Sequence, residues 1–154
     1  MSEPLQLVFV CTGNICRSPM GEAYARAYGT QRGWMVEARS GGVLGIMNKP
    51  AHPLAVKVMA EVDIELEGHM SGGVTTELME WAKYVLVMEL HHATTLRERF
   101  PDHQDKILVL ANFGGMMEIK DPIGGWRWKF RRSRAEIIRC VEGFMDGLPP
   151  PSTI

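Results

Sequence analysis

Cysteine is scarce in this sequence, three among 154 residues. That small, odd number excludes a secreted disulfide scaffold, and Cys11, Cys16 and Cys140 lack the spacing of a zinc site. A surplus of charge is missing too: 17 Lys and Arg stand against 18 Asp and Glu, a formal net charge of -1. The overall balance therefore favours neither nucleic acid nor an anionic membrane as partner, and any electrostatic argument must be local. Long apolar runs are also lacking. Met1 to Val10 shows no basic region leading into an extended apolar stretch, and no later segment approaches the length that spans a bilayer. The expectation is a soluble protein of a reducing, cytoplasmic compartment. With no repeat, no linker and low complexity confined to Pro149-Pro150-Pro151, residues 1–148 read as one domain and 149–154 as a proline-rich tail where order should end.

What is present is an alternation of short apolar runs with amphipathic stretches. Leu5 to Val10 is apolar apart from Gln6 and stops at Cys11-Thr12-Gly13-Asn14, a buried strand entering a turn. Ser18-Pro19 predicts a helix start, with serine as cap and proline in the first turn, and Met20, Ala23, Tyr24, Ala27 and Tyr28 predict its buried face. Trp34 to Arg39, Tyr84 to Met88 and Lys106 to Leu110 read as further strands. Leu54 to Val62, Thr76 to Ala82, His91 to Phe100 and Arg127 to Leu148 read as helices. This order implies a three-layer α/β/α sandwich with a four-stranded parallel sheet, flavodoxin-like, and a site at the carboxyl ends of the strands.

Cys11 sits at such an end, and Arg17 follows it after five residues. A loop this tight between strand and helix can turn successive backbone amides inward, and the positive helix end adds to them, so a phosphate dianion suits it. Gly13 and Asn14 tolerate the backbone angles the curl demands. Arg17 offers a planar fork for two phosphate oxygens. Thr12, Gly13, Asn14, Ile15, Cys16, Arg17 and Ser18 are the expected phosphate-binding residues. Cys11, in an electropositive cup that favours a thiolate, is the expected nucleophile, forming a phosphocysteine. Asp121, fixed by Pro122 in a glycine-flanked loop, is the expected general acid. Cys11, Arg17 and Asp121 form the catalytic set, with no metal and no cofactor.

Other candidates read more plainly. Cys140 is a small apolar residue near a helix stripe, while Cys16 is inert or a disulfide partner of Cys11 under oxidation. His52, His91, His92 and His103 show no ligand spacing and are expected on the surface or in loops. Arg127, Lys129, Arg131, Arg132 and Arg134, interleaved with Trp128 and Phe130, are ordinarily a solvated helix face. At a helix start, where positive charge is mildly unfavourable, they also suggest steering of a phosphorylated or acidic protein.

Val8 to Pro19, with Ser40-Gly41-Gly42, His69, Val85-Leu86-Val87-Met88 and Asp121-Pro122, resembles the low-molecular-weight protein tyrosine phosphatases of bacterial type. The resemblance implies the same nucleophile, phosphate-binding arginine and acid. It also implies a Ser18 hydrogen bond to the thiolate and a bracing network of Asn14, Ser18, Ser40 and His69. Departures are Gly41 in place of a frequent alanine, no aromatic in the 43–49 loop and Ile123 in place of tyrosine. Asp121-Pro122-Ile123-Gly124-Gly125 looks like the branch that includes protein arginine phosphatases. Ile15, however, presents only apolar surface, which suits the ring of phosphotyrosine. Protein arginine phosphatase, arsenate reductase and a non-catalytic phosphate-binding regulatory module remain the alternatives.

Overall fold

A computed structural model of the chain describes residues 3–153. Met1 and Ser2 of the expected domain and Ile154 of the expected tail lie outside the described residues. The elements are β1 (Leu5–Cys11), α1 (Arg17–Gln31), β2 (Val36–Gly42), α2 (Pro53–Ala60), α3 (Thr76–Trp81), β3 (Tyr84–Val87), α4 (Leu90–Arg99), β4 (Ile107–Val109) and α5 (Arg127–Asp146). Short 3-10 turns occupy Pro101–Lys106 and Leu110–Gly114. All four strands are parallel, in the order β2-β1-β3-β4.

Leu7, Val8, Phe9 and Val10 are all fully buried, which requires cover on both faces of the sheet and explains why β1 reads as a continuous apolar run. The helices α1, α2 and α5 pack on one another, while α3 and α4 lie against β1, β3 and β4. From β1 the chain moves outward to β2 and then crosses to β3 on the other side. The carboxyl end of β1 is therefore the switch point where a crevice opens in a sheet of this kind, and Cys11 ends that strand.

Helix α1 differs from its sequence expectation in two respects. It begins at Arg17 behind Cys16, with no side-chain cap, because the Ser18 hydroxyl is engaged by Cys11 and Asn14 instead. Its fully buried positions are Met20, Gly21, Ala25 and Gly29, while Ala23, Tyr24 and Tyr28 pack against the core only in part. The reason is close approach: a Cβ on Gly21 would fall 2.7 Å from Phe9, and one on Gly29 would fall 2.3 Å from Val36. Tyr24 and Tyr28 turn sideways, their hydroxyls donating to Glu142 and Asp146 of α5.

Elsewhere the boundaries move by small amounts. Trp34 lies before β2 and bridges Thr153, Leu110 turns into a 3-10 segment, and Leu148 lies beyond α5. The chain also stays ordered past its three prolines, contrary to expectation. Met35 N donates to Ser152 O at 2.7 Å, and Ser152 N to Glu3 O at 3.3 Å, so the tail is pinned to the start of β2. Among the described residues no helix is long and apolar enough to cross a membrane.

Candidate active site

The loop between β1 and α1 curls because Asn14 takes a left-handed conformation, with φ of 60°, which asparagine adopts more readily than most side chains. Among the described residues, no acceptor meets the backbone amides of Gly13 to Ser18. Six successive unpaired N–H groups at a helix start are what an anion cradle requires. The loop carbonyls, by contrast, are used: Val43 N donates to Cys11 O at 3.0 Å, Leu44 N to Thr12 O at 3.1 Å and His52 N to Ile15 O at 2.8 Å. Gly42 lies against this curl so closely that a Cβ there would sit 2.8 Å from Thr12 O.

Side chains brace the curl from behind. Asn14 is 1% exposed; its Nδ2 donates to Ser18 Oγ at 2.8 Å and to Ser40 Oγ at 2.9 Å, and its Oδ1 accepts from Gly72 N at 3.0 Å. His69 Nε2 lies 2.7 Å from Asn14 O, and Ser40 donates onward to Glu22 at 2.7 Å. Cys11 Sγ lies 2.9 Å from Ser18 Oγ. A hydroxyl at this distance can donate to a thiolate and steady its charge.

Arg17 is 1% exposed although it carries a full charge. Its Nη1 donates to Ile119 O at 2.8 Å and meets Glu89 Oε2 at 3.3 Å. Its Nη2 reaches Thr12 Oγ1 at 3.4 Å and Asp121 Oδ2 at 3.6 Å. Its Nε is buried with no partner in the protein, a donor that a phosphoryl oxygen would satisfy. Ile119 is itself fixed, donating from its amide to Met88 O at 2.9 Å. Asp121 is thus anchored two residues downstream of a tie to both the arginine and Met88, the residue after β3. Its Oδ1 also accepts from Ile123 N at 3.0 Å.

These residues surround a cavity of about 150 Å3 lined by Cys11, Ile15, Arg17, Leu44, Ile46, Asp121 and Ile123, among others. The floor is a thiol, a guanidinium and free amides; the walls are aliphatic; one carboxyl stands at the rim. Such an arrangement can hold a phosphoryl group, attack it with sulfur and protonate a leaving oxygen or nitrogen. Burial, with the charges of Asp121 and Cys11 added and Arg17 opposing, pushes the Cys16 thiol up to about 12, so Cys16 remains neutral.

The sequence reading missed Glu89 and His92. His92 was expected on the surface or in a loop, yet it is fully buried. Two hydrogen bonds offset the cost: Nδ1 accepts from Glu89 N at 3.1 Å and Nε2 lies 2.9 Å from Thr12 Oγ1. Burial foremost, then the charges of His91 and Arg17, lower its pKa to about 4. Burial opposes ionisation of Glu89, but Arg17 and His91 outweigh it and hold the carboxyl below its usual range. The available signal was position, since both residues follow β3, the neighbour of β1 across the switch point. His52 caps α2 through Leu54 N at 3.1 Å and His91 faces solvent on Glu89.

The basic cluster divides. Arg131 and Arg134 grip Glu61 at the end of α2, with contacts of 2.6 and 2.8 Å, and these hydrogen bonds lower the Glu61 carboxyl to about 2. Lys129 and Arg132 line a cavity together with Lys120 and Asp121. Arg127 is exposed at the first position of α5.

A sequence model of the family described as low molecular weight phosphotyrosine protein phosphatase matches residues 6–150. The chain is 37% identical over 135 residues to a protein-arginine-phosphatase of Bacillus subtilis, covering 86% of this chain and 89% of the relative. It is 31% identical over 128 residues to the low molecular weight protein-tyrosine-phosphatase Wzb of Escherichia coli, covering 83% and 80% respectively. Among solved structures, the low molecular weight protein tyrosine phosphatase of T. tengcongensis superposes with a TM-score of 0.89 at 31% identity, over 94% of this chain and 99% of that one.

Proposed function

Because this chain belongs to the low molecular weight phosphotyrosine protein phosphatases, a family of cysteine-dependent enzymes acting on phosphorylated proteins, we propose that Cys11 is its nucleophile, Arg17 its phosphate clamp and Asp121 its general acid. In the first half-reaction the Cys11 thiolate forms an S–P bond as the bond from phosphorus to the leaving group breaks, and the Asp121 carboxyl gives its proton to the departing atom. In the second, water attacks the phosphocysteine while Asp121 takes the water's proton. The thiolate leaves and inorganic phosphate is released. The amides of Gly13 to Ser18 and Arg17 neutralise the equatorial oxygens throughout. The carrying observation is the buried Arg17 Nε without a protein partner, on a side chain that lines one cavity with Cys11 and Asp121.

Phosphotyrosine is the preferred substrate class, because Ile15, Leu44, Ile46 and Ile123 offer the walls of the cavity only apolar contact. A phosphoarginine reading has its own support in the 37% identity to a protein-arginine-phosphatase. Turnover of an aryl phosphate in the presence of a chelator, lost in Cys11→Ser while phosphate still binds, is the expected result. No turnover would remove the enzymatic reading in favour of a binding module. Asp121→Asn should slow poor leaving groups more than activated ones; equal slowing would unseat Asp121 as the acid. Phosphotyrosyl and phosphoarginyl peptides compared side by side decide between the substrate classes, and arsenate offered with a thiol reductant tests the third.

Residues 1–148 are proposed as one phosphatase domain, working in the cytoplasm. Steering of a phosphoprotein is assigned to Arg127 and Lys129, since Arg131 and Arg134 are committed to Glu61 and Arg132 pairs with Glu136 at 3.6 Å. Reversing the charges of Arg127 and Lys129 should weaken turnover of a phosphopeptide more than of a small aryl phosphate. Equal losses would end the idea.

A further inference from the structure

We propose that His92 is a positioning residue that commits the Thr12 hydroxyl to donating its proton to the phosphoryl group. The proposal rests on the phosphatase reading above. Glu89 N–H donates to His92 Nδ1 at 3.1 Å, the reciprocal half of a capping box at the start of α4. A nitrogen that accepts cannot carry the proton, so the neutral imidazole bears its hydrogen on Nε2. That nitrogen lies 2.9 Å from Thr12 Oγ1, and the bond between them therefore runs from histidine to threonine.

Thr12 Oγ1 also lies 3.4 Å from Arg17 Nη2, which can only donate. A hydroxyl oxygen has two acceptor sites and one proton. With both acceptor sites addressed by N–H groups, the proton must point to a third partner. Thr12 lines the same cavity as Cys11, Arg17 and Asp121, and a phosphoryl oxygen held there is the acceptor assigned to that proton. A donor whose direction is set before the substrate arrives costs no reorganisation during the reaction. Without His92 the hydroxyl could rotate and spend its proton elsewhere.

The same tautomer bears on another reading of this corner. The ligand atoms of Glu89, His91 and His92 all lie within 4.8 Å of one another, as metal ligands would. Yet His92 Nε2 carries its proton and spends it on Thr12, so it has no lone pair for a metal, and Arg17 already meets Glu89 Oε2 at 3.3 Å. Glu89 Oε2 is thus held by His91 at 2.8 Å and by Arg17, which leaves no cation cage.

The test compares Thr12→Val, Thr12→Ser, His92→Leu, His92→Gln and the double variant Thr12→Val/His92→Leu. The readouts are kcat/KM on an aryl phosphate, the inhibition constant of inorganic phosphate and the urea midpoint. Thr12→Val should lose about tenfold in kcat/KM and in phosphate affinity, the worth of one hydrogen bond to a charged group, while Thr12→Ser stays within about threefold. His92→Leu should lose a similar factor, His92→Gln should recover part of it through its amide N–H, and the double variant should be no worse than Thr12→Val within about twofold. Additive losses in the double variant, or unchanged phosphate affinity in Thr12→Val, would overturn the proposal. Should His92→Leu not fold, the two Thr12 variants and His92→Gln still decide it. Wild-type turnover and its loss in Cys11→Ser bear on the phosphatase reading alone, so the two can fail separately.

Discussion

Replacing Asn14 by alanine should be among the most damaging single changes outside the hydrophobic core. The side chain makes three hydrogen bonds, at 2.8 Å to Ser18, 2.9 Å to Ser40 and 3.0 Å from Gly72 N, in a place 1% exposed. At about 1 kcal/mol net for each, their loss costs about 3 kcal/mol. The left-handed backbone at Asn14 adds about 1 kcal/mol, since alanine gives up the local hydrogen bonding that lets asparagine tolerate that region. The total of about 4 kcal/mol is a large share of the roughly 5–15 kcal/mol that holds a domain together. The His69 bond is made to the Asn14 carbonyl and should survive. Urea unfolding at neutral pH measures the loss, with Ser40→Ala as the comparison because it removes the shared bond and the one to Glu22. In the double variant the two losses should fall short of additivity by about 1 kcal/mol. If Asn14→Ala costs no more than Ser40→Ala, the bracing network is not what holds the curl.

Acid should destabilise the fold through His92. Its folded pKa of about 4 lies below the ordinary 6.5, so on acidification the unfolded chain takes up this proton first. The stability His92 contributes is therefore intact above pH 6.5 and lost as pH falls towards 4, about 3 kcal/mol in all. Urea midpoints across that window should show a shallower slope for His92→Gln than for wild type, and identical slopes would refute the assignment. Cys16, pushed up to about 12, and Cys140, raised mainly by burial, should both resist alkylation. Native Cys11→Ser protein exposed to iodoacetamide at neutral pH should carry no label by mass spectrometry, and a label on Cys16 would contradict its burial. Glu61→Gln should release Arg131 and Arg134 and speed hydrogen exchange in the first turns of α5 without changing exchange at residues 11–18. Faster exchange in the anion loop would mean that the Glu61 clamp supports the site itself.

The legible parts of this molecule were those written locally. An apolar run, a glycine-asparagine curl and an arginine at the mouth of a helix lie within residues 5–19, so strand, loop and helix could be read together, and parallel order followed from the alternation. What escaped depended on distance in sequence or on small side chains. Thr12 and His92 meet across 80 positions, and their contact exists only because β3 lies beside β1. Beside Met20, the inner face of α1 is carried by Gly21, Ala25 and Gly29, which have almost no hydrophobic signal and act by letting backbones approach. Arg131 and Arg134 read as a free basic face because Glu61 belongs to another helix. The tail read as loose because prolines argue against regular structure, whereas the bonds that hold it come from Ser152.

The two main-chain rungs from Val43 and Leu44 to the carbonyls of Cys11 and Thr12 separate what the rim is made of from where it stands. Since backbone atoms do the lacing, the side chains at Leu44 and Ile46 can be exchanged for rings or charges while the sulfur beneath keeps its address. Grafting a new rim onto an unaltered floor is therefore an open route to enzymes that admit different phosphorylated residues with undiminished reactivity.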